Sequence, residues 1–254
     1  MILAVGDVPL YSVLHDLMIL AKDQNKIHEL NMDMGLGSWT HGDGWGVAYL
    51  QQGQWVVIKS INALFDDREV ERLKSIKTSL AVLHARKRIG NETSFENTHP
   101  FIETSSMLGE CVFCHNGFVQ DEIFFDAKFK LKGSTDSEKL FYSILTDAAA
   151  TEVSMAIRQN FQRYVKVRGT NIILASKDYS FVGIRENILP QYYSMALGKS
   201  EELLVISSEK LPSFAHLTWM ELEQGDIVMV DNNTRDVKVE KEKEAIEPIS
   251  KKLP

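Results

Sequence analysis

Glu110-Cys111-Val112-Phe113-Cys114-His115-Asn116-Gly117 is a short apolar run that closes on a histidine and an Asn-Gly pair. It reads as a buried strand, and since Asn-Gly is the commonest two-residue turn, the plain reading is a strand stopping at a tight turn. The same backbone can also serve chemistry. Glycine leaves its N–H unobstructed and asparagine adds a second donor, so the pair can hold an oxygen that turns negative during acyl transfer. Upstream, His84-Ala85-Arg86 ends another expected strand. A guanidinium there either pairs with a surface acid or grips a carboxylate through two parallel hydrogen bonds. Downstream, Thr135-Asp136-Ser137-Glu138 has the spacing of a capping box ahead of Leu140, Phe141, Ile144 and Leu145. Asp136 then either complements a helix dipole or offers a seat for an ammonium. Asn97-Thr98-His99-Pro100-Phe101 lies between these pieces and reads mainly as a rigid loop anchor. Together they describe a pocket for one small zwitterion and its developing oxyanion.

Bulk properties narrow the field. The 254 residues are 44% hydrophobic and 25% charged, which is ordinary for a globular chain with ample core. The net charge of −7 argues against nucleic acid or an anionic membrane as partner, because both select for positive charge. No run of apolar residues is long enough to span a bilayer, and the first residues, Met1-Ile2-Leu3-Ala4-Val5-Gly6-Asp7, lack the basic flank of a signal peptide. The two cysteines, Cys111 and Cys114, fit a reducing compartment, so the expected location is cytoplasmic. Three residues apart on one strand, they point to opposite faces, and with no second Cys pair neither a metal site nor a disulfide is expected.

Further along the chain, residues 2–5 read as a strand, 12–30 as a helix with apolar positions through Ile27 and Leu30, and 31–44 as an aperiodic loop. A hairpin is expected over 45–50 and 54–61 around Gln52-Gly53, with Val57 and Ile61 in phase. Residues 66–76 read as a short charged helix, 79–85 as a strand, and 88–97 as a polar, irregular flap. Residues 110–115 form the next strand, a helix opens at Thr135, and a second covers 151–165. Strands are expected over 171–175, 181–184, 192–197, 203–207 and 227–230, and the Lys/Glu-rich tail from about 237 is expected to fray. No repeat or linker divides the chain, so one domain over 1–254 is expected.

As a set, Asp43-Gly44-Trp45-Gly46-Val47-Ala48, His84-Ala85-Arg86, Asn97-Thr98-His99-Pro100-Phe101, Phe113-Cys114-His115-Asn116-Gly117 and Ser207-Ser208-Glu209 resemble the class-II glutamine amidotransferase domain. That family is a branch of the N-terminal-nucleophile hydrolases, and the chain is most similar to its stand-alone members that resemble γ-glutamyl amidohydrolases. The resemblance implies an α+β fold, a four-layer αββα sandwich with the nucleophile at the tip of the first strand. It implies that Arg86 binds a glutamine α-carboxylate, Asp136 its α-ammonium, and that Asn116 with the Gly117 N–H forms the oxyanion hole. It implies a small-molecule substrate, glutamine or a γ-glutamyl compound, and no cofactor or metal. A synthase or a peptidase is the partner class it allows.

The chain departs from that family at the nucleophile. Members use a cysteine exposed as first residue, its α-amine acting as base. Here residue 2 is Ile, and Met1 resembles the residue just after a Met-Cys-Arg opening. Cys114, the internal thiol nearest Asn116, is expected to be buried and unreactive. The expectation is therefore an amidohydrolase when a native upstream Cys is present, with a catalytically inactive glutamine-binding regulatory module as the alternative. Lys87-Arg88-Ile89 stands where synthase-coupled members carry an aromatic–small–Thr-His run. This argues against ammonia coupling and favours a substrate with additional carboxylates.

Overall fold

Strand β6 (Gly109–Val119) is longer than its apolar run suggested, carrying His115, Asn116 and Gly117 inside the strand rather than in a turn after it. The computed structural model describes residues 1–24, 32–33, 35, 37–90, 92–185 and 192–242. One sheet holds, in spatial order, β11 (Thr218–Leu222), β9 (Met195–Lys199), β10 (Leu203–Ser207), β1 (Ile2–Pro9), β4 (Lys77–Ala85), β2 (Trp45–Gln51) and β3 (Gln54–Ser60). The other holds β13 (Val237–Glu240), β12 (Ile227–Asp231), β8 (Tyr179–Gly183), β7 (Val167–Ser176), β6 and β5 (Phe101–Ser105).

Strand alternation then builds the layers. On β1, Ile2 and Ala4 face outward onto helix α1 (Leu10–Ala21), where Val13, Leu14 and Leu17 meet them. Met1, Leu3 and Val5 face inward with Leu80 and Val82, against Val112, Cys114 and Ile173 of the second sheet. Cys111 and Phe113 point outward from that sheet to helices α2 (Asp136–Ala148) and α3 (Val153–Arg163), through Phe141, Ile144 and Ile157. Helix, sheet, sheet and helices thus give the four-layer αββα sandwich, and the two cysteines lie on opposite faces of β6 as the alternation required.

Several boundaries moved for physical reasons. Helix α1 begins at Leu10 and is described to Ala21, while Ile27 and Leu30 lie outside the described residues. Residues 66–76 form no α-helix; two 3₁₀ segments, Leu64–Asp66 and Arg68–Leu73, stand there, the second capped by Asp67 accepting the Glu69 N–H. Strands β5 and β11 were missed, the first following a proline and the second short with mostly exposed residues. Ile61 falls beyond β3 and is 42% exposed. Residues 192–194 precede β9 rather than joining it. The tail does not fray at once, since residues 237–240 pair with β12. At α2 half of the capping box forms: Thr135 Oγ1 accepts the Glu138 N–H, but the Glu138 carboxylate takes the N–H groups of Lys132 and Gly133 instead of Thr135's.

Gly46 explains the Asp-Gly-Trp-Gly run. A Cβ there would lie 2.3 Å from the His99 carbonyl oxygen and 3.0 Å from that of Ile58. The bare backbone lets the loop carrying His99 lie flat on β2. Gly46→Ala is expected to cost about 1–3 kcal/mol by overpacking, read as a lower denaturant midpoint; an unmoved midpoint would show that the loop does not depend on this contact.

Candidate active site

The site is built where β1 begins and where β4 and β6 approach their ends. In the ladder, Ile2 stands opposite Leu83 of β4 and Ser207 of β10, so Met1 falls beside His84 and Ser208. The Met1 ammonium donates to Ser208 Oγ at 3.2 Å. A cavity of about 190 Å³ opens at this strand tip, lined by Met1, Arg86, Asn116, Gly117, Asp136 and Ser208 among others. The four residues singled out in the sequence for oxyanion, carboxylate and ammonium therefore line one cavity.

Arg86 follows β4 and is 5% exposed. Among the described residues its guanidinium makes only long contacts, Nη1 to the Asp43 carbonyl and Nη2 to the Glu92 carbonyl, each at 3.4 Å. Several of its five N–H donors remain for a planar anion. The loop after it is knitted down: Asn97 Nδ2 donates to the Glu92 carbonyl, Thr98 Oγ1 to the Ser94 carbonyl, and Asn97 Oδ1 accepts the Ser134 N–H.

Asn116 and Gly117 lie on β6 opposite Asn171 and Thr170, and the register slips after Gly117. Such a bulge re-aims the local backbone. Gly117 has φ +149°, and a Cβ on it would lie 2.0 Å from the Gly169 carbonyl oxygen, so only glycine fits. Asp136, the first residue of α2, accepts the Val119 N–H at 2.8 Å through Oδ2. That bond fixes the carboxylate against the end of β6.

Three buried histidines crowd the same region. The His84 and His99 rings lie 4.3 Å apart, and His99 meets Phe101 edge-on at 4.6 Å. His115 Nδ1 is 2.9 Å from Ser137 Oγ and 4.0 Å from Asp136. Burial is the first cause that lowers all three below the usual histidine range, and nearby positive charge adds to this for His84 and His99. Neither ring nitrogen of His99, nor His84 Nδ1, has a partner among the described residues. Burial also lowers the Met1 amine to about 6 and pushes the Cys114 thiol up to about 12. Cys114 is thus no substitute nucleophile.

The cavity extends past this set to Leu17, Leu20, Trp39, His41, Lys87 and Tyr192. Sequence reading missed Trp39 and His41; their signal was an aromatic ring and an imidazole inside a Gly-rich aperiodic segment. Among the described residues there is no group of acidic, His and Cys side chains able to hold a metal ion, and no helix is long and apolar enough to cross a membrane.

Comparison with known proteins places the chain in a family. The family model for class-II glutamine amidotransferases matches residues 32–182, and the chain belongs to that family. An Escherichia coli protein, YafJ, named for glutamine amidotransferase function, is 30% identical over 115 residues, covering 44% of this chain and 44% of YafJ. A Haemophilus influenzae protein of similar name is 35% identical over 106 residues, covering 40% of this chain and 35% of its own. An uncharacterised Methanocaldococcus jannaschii protein, MJ1515, is 29% identical over 134 residues, 49% of this chain and 37% of that one. The matches thus span less than half the length of these relatives.

Among solved structures, the glutamine phosphoribosylpyrophosphate amidotransferase of B. subtilis superposes with a TM-score of 0.65 at 17% identity, over 94% of this chain and 48% of its own. A class-II domain protein from Silicibacter pomeroyi gives 0.60 at 15% identity, over 94% and 98%. These likenesses establish the fold.

Proposed function

We propose that the cavity is a γ-glutamyl site, and that the domain hydrolyses glutamine or a γ-glutamyl compound through a cysteinyl acyl-enzyme when a native cysteine stands ahead of Met1. The observation that supports this reading is that Arg86, Asp136, Asn116 and Gly117 line one cavity at the tip of β1. Continuing the β1–β4 register backward, one preceding residue would stand opposite Ala85 and the second opposite Arg86. By alternation the second shares the inward face with Met1 and Leu3, roughly 7 Å beyond Met1. A Cys-Arg pair ahead of Met1 would therefore bring its thiol to the side that carries Arg86 and Asn116.

The chemistry follows from those positions. The thiol gives its proton to the cysteine's own α-amine and attacks the γ-carbonyl carbon. Asn116 and the Gly117 N–H hold the oxyanion. The C–N bond then breaks, and the amine leaves with that proton. Water attacks the thioester, the C–S bond breaks and glutamate departs. Desolvation, which brings the Met1 amine to about 6, would likewise favour an unprotonated α-amine nearby, the form that acts as base. Arg86 and Asp136 anchor the two charged ends of the glutamyl group throughout.

Calorimetric titration of glutamine into the chain tests the clamp. Saturable binding is expected, with Arg86→Ala weakening it by about a hundredfold, since it strands a desolvated carboxylate. Absence of heat up to millimolar glutamine would contradict the assignment. A second reading, a binding module that regulates a partner, draws support from Cys111 and Cys114, both buried and neither lining the cavity. It predicts the same titration but no turnover once a cysteine is supplied.

A further inference from the structure

We infer that Lys59 is a nucleophilic lysine, and that the cavity around its amine is a site of Nε-acylation by small, uncharged activated acyl compounds such as esters and thioesters. The inference is independent of the γ-glutamyl reading, since no residue lining this second cavity lines the first.

Strand alternation puts an amine where it calls for an apolar side chain. On β3, Val56 and Ile58 pack on the α1 side of the sheet, while Trp55 and Val57 pack between the two sheets. Lys59, two residues after Val57, continues the inward series. β3 is the last strand of one sheet and β5 the last of the other, so the side chain lies at the margin of the sandwich. A cavity of about 230 Å³ opens there, with Phe95, Phe101, Ile102 and Tyr142 as its apolar walls.

A cation in such a place is normally held by a carboxylate. The half-buried Lys59 ammonium instead lies 5.3 Å over the Phe101 ring and donates to the Phe95 carbonyl at 3.4 Å. It makes no ion pair among the described residues. The other charged groups of this cavity are Glu96, Lys132 and Glu138. Glu138 accepts the Lys132 and Gly133 N–H groups and the Tyr142 hydroxyl. Lys132 Nζ lies 3.8 Å from Glu103, and Glu96 is exposed. Burial is the first cause lowering Lys59 to about 8; Lys132 adds to it, while Cys114, Glu138 and Glu96 oppose it.

A desolvated amine without a carboxylate partner is the form in which lysine acts as a nucleophile. The lining amines and carboxylates balance in charge, and the walls are apolar, so an uncharged acyl donor fits better than an anion. In the step, the Nζ lone pair bonds to the acyl carbon. The bond from that carbon to the ester oxygen or thioester sulfur breaks with its electron pair, and the Nζ proton passes to solvent. The product is a neutral amide at Lys59.

The test treats the folded chain with limiting p-nitrophenyl acetate at pH 7.5 and reads each lysine by peptide mass spectrometry. At that pH about a quarter of the Lys59 amines are unprotonated, against about a thousandth for an ordinary lysine. The lower basicity takes back much of that gain by weakening the nucleophile. Lys59 is expected to acetylate about tenfold faster than Lys166 and Lys177, which are exposed. Its rate should reach half its limit near pH 8, whereas theirs should still rise at about pH 10. In Lys59→Arg the fast adduct should vanish while the slow ones stay. A Lys59 rate equal to those of Lys166 and Lys177 would overturn the inference. So would a fast adduct that survives Lys59→Arg, or a Lys59 rate that climbs with pH as theirs do.

Discussion

A chain extended by Cys-Arg ahead of Met1 and carrying Asn116→Ala is expected to turn over glutamine about a hundred to a thousand times more slowly than the same extended chain with Asn116 intact. The loss should appear in kcat, with KM little changed, because under the proposed assignment Arg86 and Asp136 anchor the ground state. The amide of Asn116 becomes a strong partner only when the carbonyl oxygen gains charge in the transition state. Stability should hardly move, since among the described residues the Asn116 side chain makes no hydrogen bond and is only partly buried. The retained Gly117 N–H accounts for residual turnover. A variant that loses substrate affinity instead of turnover would place Asn116 in ground-state binding. One that loses less than threefold would remove it from the oxyanion hole.

The protein is also expected to lose stability steeply as pH falls below 6.5. His84, His99 and His115 are desolvated and held neutral in the fold, with pKa values below the usual histidine value of about 6.5. Between 6.5 and those lowered values the unfolded chain binds protons that the folded chain refuses. Stability is therefore full above 6.5 and declines on acidification until the folded pKa values are reached. Each such histidine adds to the decline, and His41, lowered to about 4 by burial, adds to it as well. Denaturant unfolding at pH 7.5, 6.5, 5.5 and 5.0 reads this slope, and His99→Gln should flatten it. A stability independent of pH over that range would mean that protons reach the imidazoles in the folded state.

Much of this architecture was legible because it rests on short-range periodicity. β6 announced itself by an apolar run ending in Asn-Gly, α2 by its Thr135–Glu138 spacing, and β10 by five apolar and small residues in sequence. Opposite faces for Cys111 and Cys114 followed from period-two alternation alone. What was not legible depended on partners distant in sequence. β13 is a strand because β12 offers an edge, although residues 237–240 are themselves polar and half-exposed. The segment 66–76 carries helix formers but is tied by the Asp67 side chain to the Glu69 N–H and the Trp45 indole. Those local bonds favour tight 3₁₀ turns over an α-helix.

The candidate site divides in the same way. Arg86, Asn116, Gly117 and Asp136 could be picked out because each sits at the end of a patterned element. The histidine cluster could not: His84, His99 and His115 come from three segments and meet only through the stacking of β4, the 97–100 loop and β6. His99 read as a loop anchor, and its buried imidazole without a partner among the described residues is a finding of the fold. Trp39 and His41 come from a segment without periodicity and reach the cavity beyond the end of α1.

The central claim is that this cavity cleaves γ-glutamyl amides once a cysteine occupies the strand face beside Arg86 and Asn116. Glutamate release from glutamine and γ-glutamylglycine, measured for the chain carrying Cys-Arg ahead of Met1, tests it most directly. The account predicts sustained release over many turnovers, abolished when that cysteine is replaced by alanine. No release from either compound, by an extended chain that still binds glutamine, would contradict it and leave the cavity a binding site.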